Sequence, residues 1–166
     1  MKQPSLAVLC AVAALTGSAF AQPSQTTPYH YALPLTLALE AATEAIRVCA
    51  QHGYRVSATV VNMDGVPQAA LRGDGATIHT GESSFAKAFT VVTLGPIFDV
   101  ETSGELLPQA SRLATVRNVI ALPGAVAFKS KNAIVGALGV GGAPGGDKDE
   151  VCARAGVAKV ADRLPK

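Results

Sequence analysis

The apolar positions change their spacing several times along the chain, and each change predicts a new structural element. Residues 35–52 repeat apolar side chains at the spacing of an amphipathic helix, so we expect one buried face. Gly53 follows where a left-handed C-terminal cap belongs. The predicted buried face of this first helix consists of Leu35, Leu39, Ala42, Ile46 and Cys49.

Two stretches of β-branched and apolar residues predict hairpins. Residues 56–62 and 67–71 flank an Asp64-Gly65 turn, and residues 126–129 and 133–140 flank a short polar turn. Hairpins pair their strands in antiparallel fashion. The fold class is therefore predicted to be α+β, and a parallel doubly wound sheet is disfavoured.

Helical patterns fill the space between and after the hairpins. The middle helix is predicted over residues 80–92, with Phe85, Ala88 and Phe89 on one side and Gly95-Pro96 as its end. Residues 97–120 have a weaker pattern. Short helices around residues 105–110 and 112–116 fit this part of the chain best.

A last helix is predicted to run to about Arg163. Asp147 is its expected N-cap, because Glu150 three residues later resembles a capping box. This helix completes the order helix, hairpin, helices, hairpin, helix.

The N-terminus has the three parts of a cleavable signal peptide. A short basic start is followed by the uncharged apolar residues 6–15 and by the small-residue site Ala19-Phe20-Ala21. The apolar run is too short to span a membrane, which takes about 20 residues. Cys10 follows the bulky Leu9, which disfavours a lipoprotein anchor. We therefore predict cleavage after Ala21 and a periplasmic or secreted protein with no membrane span after cleavage.

The rest of the chain is expected to be a flexible leader over residues 22–34 and one domain over residues 35–164. Fourteen Lys and Arg balance twelve Asp and Glu without a basic cluster, which argues against a nucleic-acid partner. Trp is absent and aromatic residues make up 5% of the chain. The core must therefore be built from Ala, Val, Leu and Ile.

Signal cleavage removes Cys10 and leaves Cys49 and Cys152 as a pair. An oxidising compartment favours a disulfide between them, and the two sulfurs meet if the first and last helices pack antiparallel. The alternative is two buried free thiols, since Cys also behaves as a small apolar residue.

Catalytic signatures are weak. No nucleophile elbow, phosphate-binding loop of the Walker type or His-Glu-x-x-His zinc motif is present. The glycine-rich residues 139–146 could bind an anion at a helix start, but Asp147, Asp149 and Glu150 would repel it, which favours a turn that needs glycine. His79, with Glu82 three residues on, could ligate iron or bond a carboxylate, or it could be an ordinary surface histidine.

Five runs and one further residue stand out by their order and spacing: residues 57–65, 72–76, 85–90, 122–125 and 134–142, together with Asp149. Taken together, they resemble the GlcG/HbpS-type family of haem-binding, haem-degrading-like proteins. The resemblance covers nearly all of residues 35–164. Its departures are Asn62 and Met63, where the family usually has two valines, and the turn at residues 128–132, where it usually has Asp-Gly.

This resemblance implies a profilin-like α-β-α sandwich around an antiparallel sheet of about five strands. It also implies a homo-oligomer, often an octamer, and a tetrapyrrole ligand such as haem in some members. Haem-degrading activity has been attributed to the group.

The leading hypothesis is therefore an exported, oligomeric haem-binding protein that captures or senses its ligand. Phe85 and Phe89 would line the slot, and Arg72 or Lys87 would bind the propionates. The iron would take His79 or a weaker oxygen ligand. The lack of an obvious acid–base pair favours a binding protein over an enzyme. The alternatives are an enzyme acting on a small metabolite or on haem, and an assembly module without a ligand.

Overall fold

The computed structural model describes residues 33–165. The predicted signal peptide, Cys10 and all but the last two residues of the predicted leader lie outside this range. The helices are α1 (Leu35–Gln51), α2 (His79–Phe98), α3 (Ala110–Leu113) and α4 (Gly146–Val160); the strands are β1 (Ser57–Val61), β2 (Pro67–Arg72), β3 (Ala125–Ser130) and β4 (Ala133–Gly141); and short 3-10 helices cover Gly104–Gln109 and Ala161–Arg163.

The four strands form one antiparallel sheet in the order β2-β1-β4-β3, which confirms the α+β prediction. The expected count of about five strands is slightly wrong. The chain before the first 3-10 helix approaches β3 through an isolated bridge between Thr102 and Val126. The Ala127 N–H also donates to the Glu101 carbonyl at 2.8 Å. This segment does not become a strand because the backbone turns into the 3-10 helix at Gly104.

Helices cover both faces of the sheet. Strand β1 is buried along its whole length, and its alternation sends Ala58 and Val60 toward α1 and α4, while Ser57, Thr59 and Val61 face α2. The result is three layers, with α1 and α4 on one side and α2 on the other.

The predicted helix α1 is confirmed, but its buried face is centred differently. Leu35 and Leu39 are 53% and 40% exposed, whereas Ala42 and Cys49 are buried as expected. Small residues occupy the buried face because α4 approaches α1 closely. A Cβ added to Gly156 of α4 would overlap the Ala41 backbone oxygen. The buried residues of α1 are Leu37, Ala38, Ala41, Ala42, Ala45 and Cys49.

Two predicted helix boundaries were wrong. Helix α2 runs through Gly95-Pro96, and Pro96 costs it a single backbone hydrogen bond close to its end. The helix stops at Asp99, which is left-handed with φ 55°, and the Val100 N–H bonds the Gly95 carbonyl. Helix α4 is preceded by Gly145 at the N-cap position, so Asp147 lies within its first turn and makes no capping bond.

The side chains Cys49 and Cys152 form a disulfide, as predicted. Both are fully buried. Further along α4, Gly156 lies against Ala41 and Ala45, which come before Cys49 in α1. Residue numbers therefore rise along α4 in the direction in which they fall along α1. The two helices are therefore antiparallel, which is the condition under which the two sulfurs were expected to meet.

Helix α2 lies unusually close to β4. A Cβ added to Gly139 would overlap the Ser84 backbone oxygen and lie 2.8 Å from the Ala88 nitrogen. A Cβ on Gly141 would lie 3.1 Å from both the Ser84 nitrogen and the Thr80 oxygen. Any side chain at these two strand positions would push the helix away from the sheet.

Hydroxyl pairs add a second contact of α2 with the sheet, at the neighbouring strand β1. Ser57 Oγ lies 2.7 Å from Thr80 Oγ1, and Thr59 Oγ1 lies 2.7 Å from Ser84 Oγ. Because all four residues are buried, each pair satisfies groups that would otherwise be costly in the core. The pairs thereby fix how far α2 is displaced along the sheet.

Removing the disulfide should lower stability substantially. The bond joins residues 103 positions apart, and the chain-entropy model gives about 4–5 kcal/mol for a loop of that length. A Cys49→Ala/Cys152→Ala variant should show this loss in the free energy of unfolding measured by urea denaturation. Reduced wild-type protein should behave like the variant. An unchanged unfolding curve would contradict the assignment of the bond as a stabilising one.

Replacing Gly139 should disturb the sheet–helix contact. Gly139→Ala is expected to lower the free energy of unfolding by about 1–3 kcal/mol or more, because the new methyl meets backbone atoms. Gly81→Ala in α2 is the matched control, since its Cβ would meet nothing within 4 Å. The control should be neutral or stabilising by up to about 1 kcal/mol. Equal effects of the two substitutions would count against close approach as the reason for Gly139.

Candidate functional site

A cleft lies between the first half of α2 and residues 118–120, here called the wall segment. Its volume is about 550 Å³. Cofactor and ligand pockets typically occupy about 300–1,000 Å³, so the cleft has a suitable size for a small molecule. The lining residues are His79, Glu82, Ser83, Phe85, Ala86, Asn118, Val119 and Ile120.

His79 and Glu82 form the polar rim of this cleft. His79 is the first residue of α2 and is exposed, and its Nδ1 lies 3.3 Å from the Thr77 hydroxyl. That contact leaves Nε2 as the ring nitrogen available to a ligand. Glu82 stands one helical turn further on and adds a carboxylate to the same rim. The rim therefore offers one imidazole and one carboxylate.

The opposite part of the cleft is apolar. Phe85 and Ala86 come from α2, and Val119 and Ile120 come from the wall segment. The Phe85 ring lies 5.7 Å from the ring of Phe89, centroid to centroid. This side of the cleft could hold a flat apolar group while the rim holds polar atoms.

Phe89, predicted to line a slot, packs elsewhere. Its ring lies against Gly65 in the turn of the first hairpin, where a Cβ would come within 2.6 Å of the ring. Phe89 thus lies on the flank of α2 that faces β1 and β2. It is therefore not among the residues that line the cleft.

Lys87, predicted to bind a carboxylate ligand, is buried and bonded to a carboxylate of the protein. Its Nζ lies 2.7 Å from Asp149 Oδ2 and also donates to the Val140 carbonyl at 3.2 Å. The other carboxylate oxygen of Asp149 accepts the Ala143 N–H. Burial raises the pKa of Asp149, and the bonds from Lys87 and Ala143 oppose this rise.

This ion pair joins helices on opposite faces of the sheet. Removing one partner would strand a buried charge, which typically costs about 3–5 kcal/mol. We therefore assign Lys87 to the structure of the domain. Its partner Asp149 lies 62 positions away in the chain, so no local pattern could have indicated the pairing.

Arg72 lies on the same face of the sheet as α2. It pairs across the strands with Ser57, whose hydroxyl contacts Thr80. Arg72 is exposed in the second strand of the first hairpin, and it is not among the residues that line the cleft. The structure thus brings His79 and Phe85 together, and places Arg72, Phe89 and Lys87 outside the cleft lining.

The wall segment is the part of the site that sequence reasoning missed. Residues 97–120 have no regular period, and Asn118 adopts a left-handed conformation with φ 62°. Asn is among the few residues that tolerate this conformation, so an Asn before two β-branched residues was the available signal. Arg117 directly precedes the cleft-lining Asn118 and is exposed.

Two kinds of feature are absent from residues 33–165. Within residues 33–165 no group of three or more His, Cys, Asp or Glu side chains is arranged to hold a metal ion. Over the same range no helix combines the length and apolar character needed to cross a membrane.

Comparisons with known proteins identify relatives with this fold. The crystal structure of HbpS is 38% identical, covering 78% of this chain and 90% of that one with a TM-score of 0.70. A double mutant of HbpS from Streptomyces reticuli is 34% identical, covering 95% and 99% with a TM-score of 0.70. The complex of PduOC with haem is 20% identical, covering 76% and 94% with a TM-score of 0.65, and shows likeness of fold alone.

A search of curated proteins gave no match. A family model described as "Haem degrading protein HbpS-like" matches residues 33–158, which include every helix and strand from α1 to β4 and most of α4. Both this match and the identity to HbpS extend over most of the chain. The chain therefore belongs to the HbpS-like family, as its resemblance to GlcG/HbpS-type proteins predicted.

Proposed function

We propose that this protein binds haem in the cleft beside α2, with His79 as the iron ligand. The observation that carries the proposal is that one cleft combines the accessible imidazole of His79 with the apolar side chain of Phe85. Haem requires an apolar slot and an axial ligand to its iron, and histidine is a common axial ligand. Membership of the HbpS-like family and the fold shared with the PduOC–haem complex support the choice of ligand.

The position of His79 suits an axial ligand. It starts α2, so its backbone is fixed by the helix while its ring remains exposed at the rim. The contact with Thr77 would orient the ring and direct Nε2 outward. Glu82 on the same rim is acidic and would repel propionates, which should therefore point away from it.

Arginine is the better candidate for the propionates. Using Lys87 would require breaking its buried bond with Asp149. Arg117 adjoins the wall segment, and Arg72 is exposed on the hairpin side of α2. Arg72 and Phe89 would take part only if the ligand extended over Phe85 to that side.

Export, with capture or sensing of haem outside the cytoplasm, is part of the proposal. The signal-like N-terminus and the disulfide both fit an oxidising compartment. A homo-oligomer, with the octamer as the form suggested by resemblance, is supported by large apolar side chains left exposed in one chain. Ile78, Ile97 and Val151 are 83%, 72% and 57% exposed.

Haem degradation is the second candidate function, favoured by the description of the family. It would need oxygen and a reductant in addition to the groups of the cleft. His79 and Glu82 are the titratable side chains that line the cleft and could move protons in such a reaction. Turnover therefore separates this candidate from binding alone.

Haemin titration tests the binding site. The wild-type protein should develop a shifted Soret band at micromolar haemin. His79→Ala should lose the spectrum of imidazole ligation and bind at least about tenfold more weakly, the order of effect seen even for groups that only support a metal ligand. His52→Ala is the matched control, because His52 is an exposed histidine away from the cleft and should leave both unchanged.

Other outcomes decide among the alternatives. An unchanged haemin spectrum with wild-type protein would refute haem binding, and an intact oligomer in that case would favour the assembly module. Normal spectra with His79→Ala would place the iron ligand elsewhere. Loss of the Soret band with ascorbate and oxygen, together with release of a product, would support degradation.

Native mass spectrometry tests export and assembly together. Protein recovered from outside the cytoplasm should have a subunit mass that begins at Gln22, the residue after the predicted cleavage site. Its intact particles should weigh an integral multiple of that subunit, eight by resemblance. Subunits that retain residues 1–21, or particles of one subunit, would contradict the respective part of the proposal.

A further inference from the structure

We infer that Thr90 is a positioning residue that holds the wall segment, residues 118–120, against α2 and so sets the shape of the cleft. The importance of this for haem rests on the proposed function. The anchoring itself does not, because it follows from contacts within the protein.

Thr90 makes two hydrogen bonds from one buried hydroxyl. Its Oγ1 lies 2.7 Å from the Ala86 carbonyl oxygen and 2.8 Å from the Ile120 nitrogen. The Ile120 N–H can only donate, so the hydroxyl accepts from it and directs its own hydrogen to Ala86. Thr90 is fully buried, which shields both bonds from competing water.

The other anchors of this part of the chain do not involve α2. Val119 N–H bonds the Val116 carbonyl within the same loop, and the Leu122 carbonyl accepts a bond from Ser103. Among hydrogen bonds within residues 33–165, the bond from Ile120 to Thr90 alone links the wall segment to α2. The cleft lies between these two elements, so this bond fixes one point of contact between its two sides.

Loss of the Thr90 hydroxyl should release the wall segment from α2 without unfolding the domain. Thr90→Val keeps the branched shape but leaves the Ile120 N–H without its acceptor. The segment should then spend more time away from α2. A ligand that needs the closed arrangement binds more weakly by the fraction of molecules that retain it.

Thr93 offers a matched control on the same helix. Its hydroxyl also donates to the carbonyl four residues earlier, that of Phe89, at 2.7 Å. No hydrogen bond from the wall segment reaches Thr93. Thr93→Val therefore removes the same kind of helix bond without removing an anchor, and Thr90→Ser keeps the anchor with a smaller side chain.

Amide hydrogen exchange without haem tests the anchoring. In Thr90→Val the Ile120 amide should exchange about tenfold faster than in wild type, since it loses its acceptor. Thr93→Val should leave this rate unchanged, and Thr90→Ser should restore it. An unchanged Ile120 rate in Thr90→Val, or an equal increase in Thr93→Val, would overturn the inference.

Haemin titration of the same variants tests the effect on the cleft. Thr90→Val should weaken haem binding by about three- to tenfold, with Thr93→Val and Thr90→Ser close to wild type. If wild type binds haem and Thr90→Val binds it equally well, the role of Thr90 in the cleft is refuted while the proposed function stands. If wild type fails to bind haem, the proposed function fails and the exchange rates still decide the anchoring.

Discussion

The close contact between helix α2 and strand β4 is the constraint on which the rest of the structure depends. Gly139 and Gly141 leave no side chain in the way, so backbone meets backbone. Hydroxyl pairs from β1, at Ser57 and Thr59, then fix the helix along the sheet. Because His79 and Phe85 project from this helix, the position of the cleft follows directly from how deeply α2 sits.

The opposite face uses the same principle with different residues. Alanines of α1 and Gly156 of α4 allow two helices to approach closely, and the Cys49–Cys152 bond fixes them covalently. The buried pair of Lys87 and Asp149 then connects the two faces. A chain with no tryptophan and few aromatic residues can thus build a dense core, because small side chains bring its backbones together.

The cleft lies between a helix and a loop segment. One side is a long helix seated on the sheet, and the other is a short segment linked to that helix by one hydroxyl. Residues that bind or shape a ligand commonly come from loops held by a rigid scaffold. The arrangement of His79 on the helix and Ile120 on the loop fits that division.

The sequence by itself determined the α+β class and the order of the main helices and hairpins, because apolar period and turn residues act locally. The number of cysteines left after the predicted cleavage made Cys49 and Cys152 a candidate pair. The sequence also pointed to His79 and Phe85. Only the tertiary structure decided which face α1 buries, that Lys87 bonds Asp149, and that residues 118–120 close the cleft. The reason is physical: periodicity shows which positions avoid water, whereas close backbone approach and buried ion pairs arise between elements distant along the chain.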